Sequence, residues 1–264
     1  MRSALPPKQF RASPKIIFVT GTDTGAGKTL LAGLILHHLR QMGCHALGMK
    51  PFCSGGRADV VLLSSLQNHE LSRDEINPFY FAEPIAPLVA ARKHRRGVRL
   101  KDVLDRVRKL ESKCDRLIIE GSGGLMVPLG EDYSVLDLIT CLRCPAVVAA
   151  RNKLGVINHS LLTVKTMQAL GIKNIAVVLM GCRARDASVQ SNQRTLQELL
   201  APITVFSLPF LGENAVRLRA LKNNYEKIKK TIALLSNFDT LGSVLLNDSG
   251  KATGKKSSVD SACG

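Results

Sequence analysis

The stretch that decides the fold is Ile16-Ile17-Phe18-Val19-Thr20-Gly21-Thr22-Asp23-Thr24-Gly25-Ala26-Gly27-Lys28-Thr29. Its apolar, mostly β-branched beginning predicts a strand buried on both faces, and the apolar run 30–39 predicts a helix after it. The glycines between them allow the backbone to turn its N–H groups around phosphate oxygens, at the positive end of that helix. The stretch therefore predicts a nucleoside triphosphate site.

The end of this loop carries the chemistry. Lys28 is expected to reach the β- and γ-phosphates, and the Thr29 hydroxyl to bind Mg²⁺. A strict Walker A count places Thr22 where the first glycine belongs, so the loop is a variant. The alternative is a plain glycine-rich turn, but such a turn has no need of Lys-Thr at the mouth of a helix. The residues predicted to bind the nucleotide here are Asp23, Gly25, Ala26, Gly27, Lys28 and Thr29.

Length and composition predict one sizeable domain. The chain has 264 residues, of which 45% are hydrophobic, and contains no stretch long and apolar enough to cross a membrane. Residues 1–14 lack the apolar core of a secretory signal and are expected to form a flexible extension. Residues 15–240 are predicted to be the domain, and 241–264, which are mostly small and polar, a disordered tail. The 7 cysteines, without a secretory signal, indicate reduced thiols and a cytoplasmic protein.

The net charge is +16, but the basic residues are scattered and the densest group is 92–96. Aromatic residues make up only 4% of the chain and tryptophan is absent, so the sequence offers no platform on which bases could stack. We therefore expect a basic surface that attracts anionic substrates, with neither nucleic acid nor membrane as a partner.

Strand-like and helix-like segments alternate along the chain. This alternation predicts an α/β fold of the P-loop NTPase type, in a single domain, with a mostly parallel sheet and helices on both faces. The predicted strands after the first are 45–50, 116–120, 146–150, 175–180 and 203–206. The predicted helices after the first are 59–66, 100–110, 156–170 and 187–200.

In such a sheet, ligands bind beyond the carboxyl ends of the strands. Polar residues follow these ends at 20–29, 50–54, 120–124 and 151–158. Lys50 is either an ion-pair partner or a contact of a reacting anion. Glu120 either caps a neighbouring helix or binds Mg²⁺, because P-loop enzymes place their metal carboxylate at the end of such a strand.

At this point the sequence resembles the ATP-dependent dethiobiotin synthetases of biotin synthesis. The resemblance runs from about residue 16 to residue 213 in the family's order. It includes a P-loop with the same extra residue and rests on these further motifs: Lys50-Pro51-x-x-Ser54-Gly55; Asn77-Pro78 with Phe81-Ala82-Glu83-Pro84-x-x-Pro87; Glu120-Gly121-Ser122-Gly123-Gly124 with Pro128-Leu129; and Leu154-Gly155-x-Ile157-Asn158-His159 with Leu161-Leu162-Thr163.

The resemblance implies that 7,8-diaminononanoate (7,8-diaminopelargonate), CO2 and ATP give dethiobiotin, ADP and phosphate through a carbamate and a carbamic-phosphoric anhydride. It implies a catalytic group of Lys28, Lys50, Thr24 and Ser54. It implies metal binding by Thr29, Asp59 and Glu120, and substrate binding by Lys50, Ser54, Gly155, Val156 and Asn158. The helix that begins near Gly155 would come from the partner subunit of a homodimer.

The sequence departs from the family's pattern in three places. The loop between Gly55 and Asp59 is short, and Gly25 stands where the family often has glutamate. The asparagine with which the family commonly recognises adenine, after its fifth strand, is absent from 178–182. Base recognition is then left to backbone groups near Pro209, and we expect weak selectivity among nucleotide bases.

Two other functions fit parts of the pattern. An ATP-dependent amide-forming synthase shares this architecture, but such enzymes usually add a glutaminase domain for which no room remains after residue 213. A partition or septum-site ATPase is a nucleotide-switched scaffold that carries a signature lysine five residues before the P-loop lysine. Asp23 occupies that position here.

Overall fold

A six-stranded parallel sheet lies at the centre of the fold, with the strand order β2-β5-β1-β6-β7-β8. The structure is a computed structural model and describes residues 15–183 and 186–238. The strands are β1 (Ile16–Gly21), β2 (Ala46–Met49), β3 (Phe52–Ser54), β4 (Phe79–Phe81), β5 (Arg116–Glu120), β6 (Ala146–Arg151), β7 (Ile175–Met180) and β8 (Thr204–Leu208). The helices are α1 (Lys28–Gln41), α2 (Ala58–Leu66), α3 (Arg73–Ile76), α4 (Pro87–Lys93), α5 (Leu100–Glu111), α6 (Val135–Leu142), α7 (Val156–Ala169), α8 (Val189–Leu200) and α9 (Leu218–Ser236).

The order of the strands places the P-loop near the middle of the sheet. The P-loop follows β1, which lies between β5 and β6, begins with four apolar residues and is buried along its whole length. Helices α1, α2 and α9 pack on one another, whereas α7 packs with α8 and α5 packs with α6. The predicted fold class, a single α/β domain with a parallel sheet and helices on both faces, is confirmed.

Most predicted elements are present with small changes at their ends. The strands predicted at 116–120 and 175–180 agree with β5 and β7 residue for residue. The first helix extends beyond the predicted 30–39 to Lys28–Gln41, because its first turn belongs to the P-loop rather than to the apolar run. The predicted extension 1–14 and tail 241–264 lie outside the described residues.

A small unit between β2 and α5 was not predicted as strands. In it β3 and β4 form a separate two-stranded parallel sheet, and the rings of Phe52 and Phe79 stack with their centroids 5.1 Å apart. Asn77 fastens this unit to the main sheet, because its amide donates to the carbonyl oxygens of Lys50 (2.9 Å) and Pro51 (3.3 Å). The unit thereby forms one wall over the end of β2.

Helix α9 covers α1 and was also not predicted. Tyr225 is fully buried between the two helices, and its hydroxyl lies 2.8 Å from Nδ1 of His38. The ring of His37 meets the same tyrosine edge-on at a centroid distance of 4.8 Å. Within the described part of the chain, no helix combines the length and the apolar character required to span a bilayer.

Candidate active site

A cleft of about 880 Å³ opens at the carboxyl ends of the central strands. The cleft is lined by the P-loop, by the β3–β4 unit with the segments that follow β3 and β4, by the last residue of β6, and by the segments after β7 and β8. This is where a parallel α/β sheet binds its ligands. The polar and charged side chains that line it are Thr24, Lys28, Thr29, Lys50, Ser54, Asp59, Glu120, Ser122, Arg151, Arg183 and Glu213.

The P-loop has the backbone shape that its glycines predict. Gly27 precedes α1 with φ at 98°, a left-handed conformation that favours glycine. The Lys28 ammonium donates to the carbonyl oxygen of Asp23 at 2.8 Å, so the side chain folds back over the loop. Burial lowers the pKa of Lys28 to about 8, although Glu120 opposes this effect.

Lys50 lies at the centre of a charged cluster beside the P-loop. Its ammonium contacts the Glu120 carboxylate at 2.7 Å and also forms an ion pair with Asp59. Thr29 donates to the same Glu120 oxygen at 2.7 Å. Burial alone would lower the pKa of Lys50, but the Glu120 and Asp59 carboxylates outweigh it and hold the pKa above its ordinary value.

The oxygens of this cluster fit a Mg²⁺ ion. Mg²⁺ prefers oxygen ligands, and enzymes often hold it with one or two carboxylates together with phosphates of the substrate. Glu120 is only 1% exposed, and its Oε2 has no hydrogen-bond partner. Among the described residues, no three His, Cys, Asp or Glu side chains come together as a metal site. A cation here would therefore use Thr29, Asp59 and Glu120 together with phosphate oxygens.

Ser54 and Thr24 both line the cleft. The Ser54 hydroxyl oxygen is buried and has no hydrogen-bond partner, which leaves it able to bond with a substrate oxygen. Thr24 is exposed on the P-loop, and its N–H donates to the Asp23 carboxylate at 2.6 Å. The structure thus brings together all four predicted catalytic residues, Lys28, Lys50, Thr24 and Ser54.

The segments after β7 and β8 form the part of the cleft that contains the predicted nucleotide contact Pro209. A Cβ on Gly181 would come within 2.4 Å of the Phe210 nitrogen and 2.6 Å of the Pro209 carbonyl carbon, so no side chain fits at this position. Arg183 and Glu213 form an ion pair of 2.6 Å there. The family's asparagine is therefore not only absent from this end of β7 but also sterically excluded at Gly181.

Comparison with known proteins gives a consistent set of relatives. The model of a protein family described as an AAA domain matches residues 15–213. An ATP-dependent dethiobiotin synthetase of Bacillus licheniformis is 42% identical over 176 residues, which cover 65% of this chain and 75% of that protein. One of Bacillus cereus is 35% identical over 217 residues, which cover 80% and 90%. This chain belongs to the ATP-dependent dethiobiotin synthetase family. The predicted resemblance is confirmed.

Solved structures of other proteins share the fold of this dethiobiotin synthetase family member. A ParA family ATPase from Chlorobium tepidum aligns with a TM-score of 0.53 at 14% identity, covering 85% of this chain and 99% of that chain. A chain of the MinC:MinD cell division protein complex of Aquifex aeolicus aligns with a TM-score of 0.53 at 13% identity, covering 92% of this chain and 99% of that chain. At these identities the likeness shows the fold alone.

The start of α7, where the dethiobiotin synthetase resemblance implies substrate contacts, lies outside the cleft of its own chain. Gly155 caps the helix with φ at 92°, and Asn158 is exposed. Val156 has a buried side chain, and its N–H donates to the Lys153 carbonyl at 3.1 Å, so it offers little to a ligand. The structure does not bring these residues to the P-loop of the same chain.

Three charged residues of the cleft were not assigned a role from the sequence. Arg151 lies within the polar range 151–158, whereas Arg183 and Glu213 come from the segments after β7 and β8. None belongs to a motif with diagnostic spacing, so only the register of the strands could have pointed to them. The predicted nucleotide contact Pro209 lies beside them on the cleft wall.

Proposed function

We propose that this chain makes dethiobiotin, ADP and phosphate from 7,8-diaminononanoate, CO2 and ATP. Membership of the dethiobiotin synthetase family supports the reaction. The observation that carries the proposal for this site is the cluster of Lys50, Glu120 and Asp59 next to Lys28 of the P-loop. Two ammonium groups suit a substrate whose phosphoryl group and carbamate are both negatively charged, and the two carboxylates suit the Mg²⁺ that would accompany the phosphates.

In the proposed reaction, an amine nitrogen of the diamine attacks CO2 and loses a proton to give a carbamate. A carbamate oxygen then attacks the γ-phosphorus, the bond to the bridging oxygen breaks, and ADP leaves. The second amine attacks the carbamoyl carbon, loses a proton and expels phosphate, which closes the cyclic urea. The chain itself supplies no covalent partner, so it acts by alignment and by charge stabilisation.

Each residue of the cleft has a place in this proposal. Lys28 would stabilise charge on the transferred phosphoryl group, and Lys50 would contact the carbamate. The unpartnered hydroxyl of Ser54 and that of Thr24 would orient carbamate and phosphate oxygens. Mg²⁺, when bound, would neutralise phosphate charge.

The proposal includes a cytoplasmic homodimer with shared sites. Leu154, before α7, and Leu162, on α7, are 79% and 61% exposed. An isologous pairing across this segment would cover them. It would also bring Gly155 and Asn158 of each subunit to the cleft of the other, where the substrate's carboxylate could meet the start of the helix.

The test is incubation of the purified protein with the diamine, bicarbonate, Mg²⁺ and ATP, followed by mass detection of dethiobiotin and assay of ADP. We expect both products from the wild type. Lys28→Ala should abolish them, and Glu120→Gln should reduce the rate by about a hundredfold or more, because each removes a charge from the transition-state site. Glu131→Gln is the matched control, since Glu131 pairs with Arg92 on the surface.

The same assay distinguishes a dethiobiotin synthetase from a partition-type ATPase, another of the functions considered from the sequence. A scaffold ATPase would release ADP at the same rate with and without the diamine. Full activity of purified Lys28→Ala would contradict the site, and diamine-independent ADP release without dethiobiotin would contradict the reaction.

A further inference from the structure

Arg151 stands out among the basic residues of the cleft. Lys28 donates to the Asp23 carbonyl, Lys50 pairs with carboxylates, and Arg183 pairs with Glu213. The exposed side chain of Arg151 lines the cleft but makes no hydrogen bond or ion pair with any other residue that the structure describes. An unpaired guanidinium in a substrate cleft is a ready partner for an anion, because it presents several N–H donors in a fixed plane.

The register of the sheet shows which way this side chain points. Arg151 pairs with Met180 of the neighbouring strand, so both side chains lie on the same face of the sheet. The Met180 side chain lies against the P-loop, since a Cβ on Gly27 would meet it at 3.0 Å. Arg151 therefore points toward the side of the sheet on which the P-loop lies.

The neighbouring strand on the other side leads to the same result. Ala149, two residues before Arg151 and so on the same face, pairs with Gly21 of β1. A Cβ on Gly21 would point at the side chains of Ala26 and Lys28, each 3.2 Å away. The Arg151 side chain, at the end of β6, thus lies on the face of the sheet where the P-loop would bind phosphates.

We propose that Arg151 binds the phosphate chain of the nucleotide, as a cationic contact that faces the P-loop across the cleft. The proposal rests on the nucleotide site of the proposed function. Phosphate is favoured over the base because the base end is built from the segments after β7 and β8, at least one strand farther from β1. Guanidinium groups also form paired, charge-assisted hydrogen bonds with phosphate oxygens.

This contact has a consequence for specificity. The phosphate chain is common to all nucleoside triphosphates, so a strong contact there raises affinity without discriminating between bases. The phosphate contact of Arg151 would compensate for the affinity lost because no side chain fits at Gly181 to bind the base. Arg151 would then contribute to the affinity for any nucleoside triphosphate, while the selectivity for its base stays weak.

The test measures nucleotide affinity by titration calorimetry without the diamine, so that no turnover occurs. ATP, GTP and CTP are titrated at one Mg²⁺ concentration into the wild type, Arg151→Ala, Arg151→Lys and Lys28→Ala. Arg106→Ala serves as the matched control, since Arg106 is exposed on α5 away from the cleft and its loss changes the net charge equally. We expect Arg151→Ala to weaken all three nucleotides by the same factor, roughly tenfold to a hundredfold.

Arg151→Lys should recover part of the affinity, because it restores the charge but not the planar fork, and Arg106→Ala should bind as the wild type does. Wild-type affinity in Arg151→Ala, while Lys28→Ala loses binding, would overturn the role of Arg151 and leave the nucleotide site intact. A loss confined to one base would also overturn it. A wild type that binds none of the three nucleotides would overturn both this proposal and the proposed function.

Discussion

Glu120 carries its charge at a place that water scarcely reaches. Burial of an isolated carboxylate costs several kcal/mol, and this cost is offset here by hydrogen bonds from Thr29 and Lys50. Lys50 is in turn held between Glu120 and Asp59. Ion pairing and contact with a reacting anion are therefore compatible roles for Lys50, because the pairs hold its ammonium at the cleft surface where an anion would arrive.

Base selectivity depends on the residues around Gly181. No side chain fits at Gly181, and the polar groups of Arg183 and Glu213 already bind each other. The hydrogen bonds that a base could make here would come from backbone groups near Pro209 and from the remaining N–H groups of the exposed Arg183 side chain, so we expect a small net gain. We expect kcat/KM for GTP and CTP to lie within roughly tenfold of that for ATP, the difference that one net hydrogen bond of about 1.4 kcal/mol produces.

Steady-state kinetics with the three triphosphates at one Mg²⁺ concentration measures this ratio. A preference for ATP of several hundredfold would show that some other group reads adenine, and the inference from the absent asparagine would be wrong.

At the scale of elements, the contact between α1 and α9 should make stability depend on pH. Burial lowers the pKa of His37 below its ordinary value of 6.5, and Lys222 adds to this effect while Glu226 opposes it. Burial likewise lowers the pKa of His38, with a further contribution from Lys229. The folded protein thus keeps both imidazoles neutral where an unfolded chain would bind protons.

The free energy of unfolding should therefore be highest above pH 6.5 and should fall as the pH decreases from 6.5 toward the folded-state pKa values. Urea unfolding between pH 8 and pH 5.5 measures this slope. His38→Asn should reduce the slope, because it removes a buried group that titrates. His69→Asn is the matched surface substitution against which the His38→Asn slope is compared, since His69 is exposed and asparagine tolerates its φ of 58°. An equal slope in wild type and His38→Asn would contradict the expectation.

The elements that the sequence predicted correctly are those with a strong local pattern. Strands β5 and β7 contain continuous apolar runs, of which the first ends at Glu120 and the second is followed by Gly181. The short strands β3 and β4 have no such pattern, because each has three residues and pairs only with the other. Helix α9 was not predicted but does have a strong local pattern, since Leu221, Tyr225, Ile228 and Ile232 recur at helical spacing on its buried face, so its sequence was sufficient to predict it.

The candidate site divides in the same way. Lys28, Lys50 and Glu120 were found because each follows an apolar strand within a recognisable motif. Arg183 and Glu213 could not be found, because they are far apart in sequence and meet only when β7 and β8 lie side by side. Sequence therefore predicted the part of the site that a single strand and its loop define, and missed the part that strand pairing creates.

At the scale of the whole molecule, the proposed dimer predicts complementation between defective chains. Lys28→Ala damages the P-loop of its own subunit, whereas Asn158→Ala damages the helix start lent to the other. Random mixing makes half of the dimers mixed, and each mixed dimer keeps one intact site, so activity should return to roughly a quarter of the wild-type value per chain. Measurement of dethiobiotin formation after subunit exchange tests this.

The control is Lys28→Ala mixed with a chain that carries both substitutions, which leaves every P-loop damaged and should restore nothing. Sedimentation of the active wild type as a monomer would refute the shared site. So would mixed dimers that form without any return of activity.

The hydrogen bond from Lys28 to the Asp23 carbonyl has a thermodynamic consequence. It joins the end of the P-loop to its beginning at 2.8 Å, so the loop is a closed ring in the protein by itself. The conformational entropy of this segment is then lost on folding and not again when phosphate binds. Because an ammonium has three N–H donors, a phosphate oxygen can bind to Lys28 while the bond to Asp23 is kept, and the affinity of the loop for phosphate then includes no further cost of ordering.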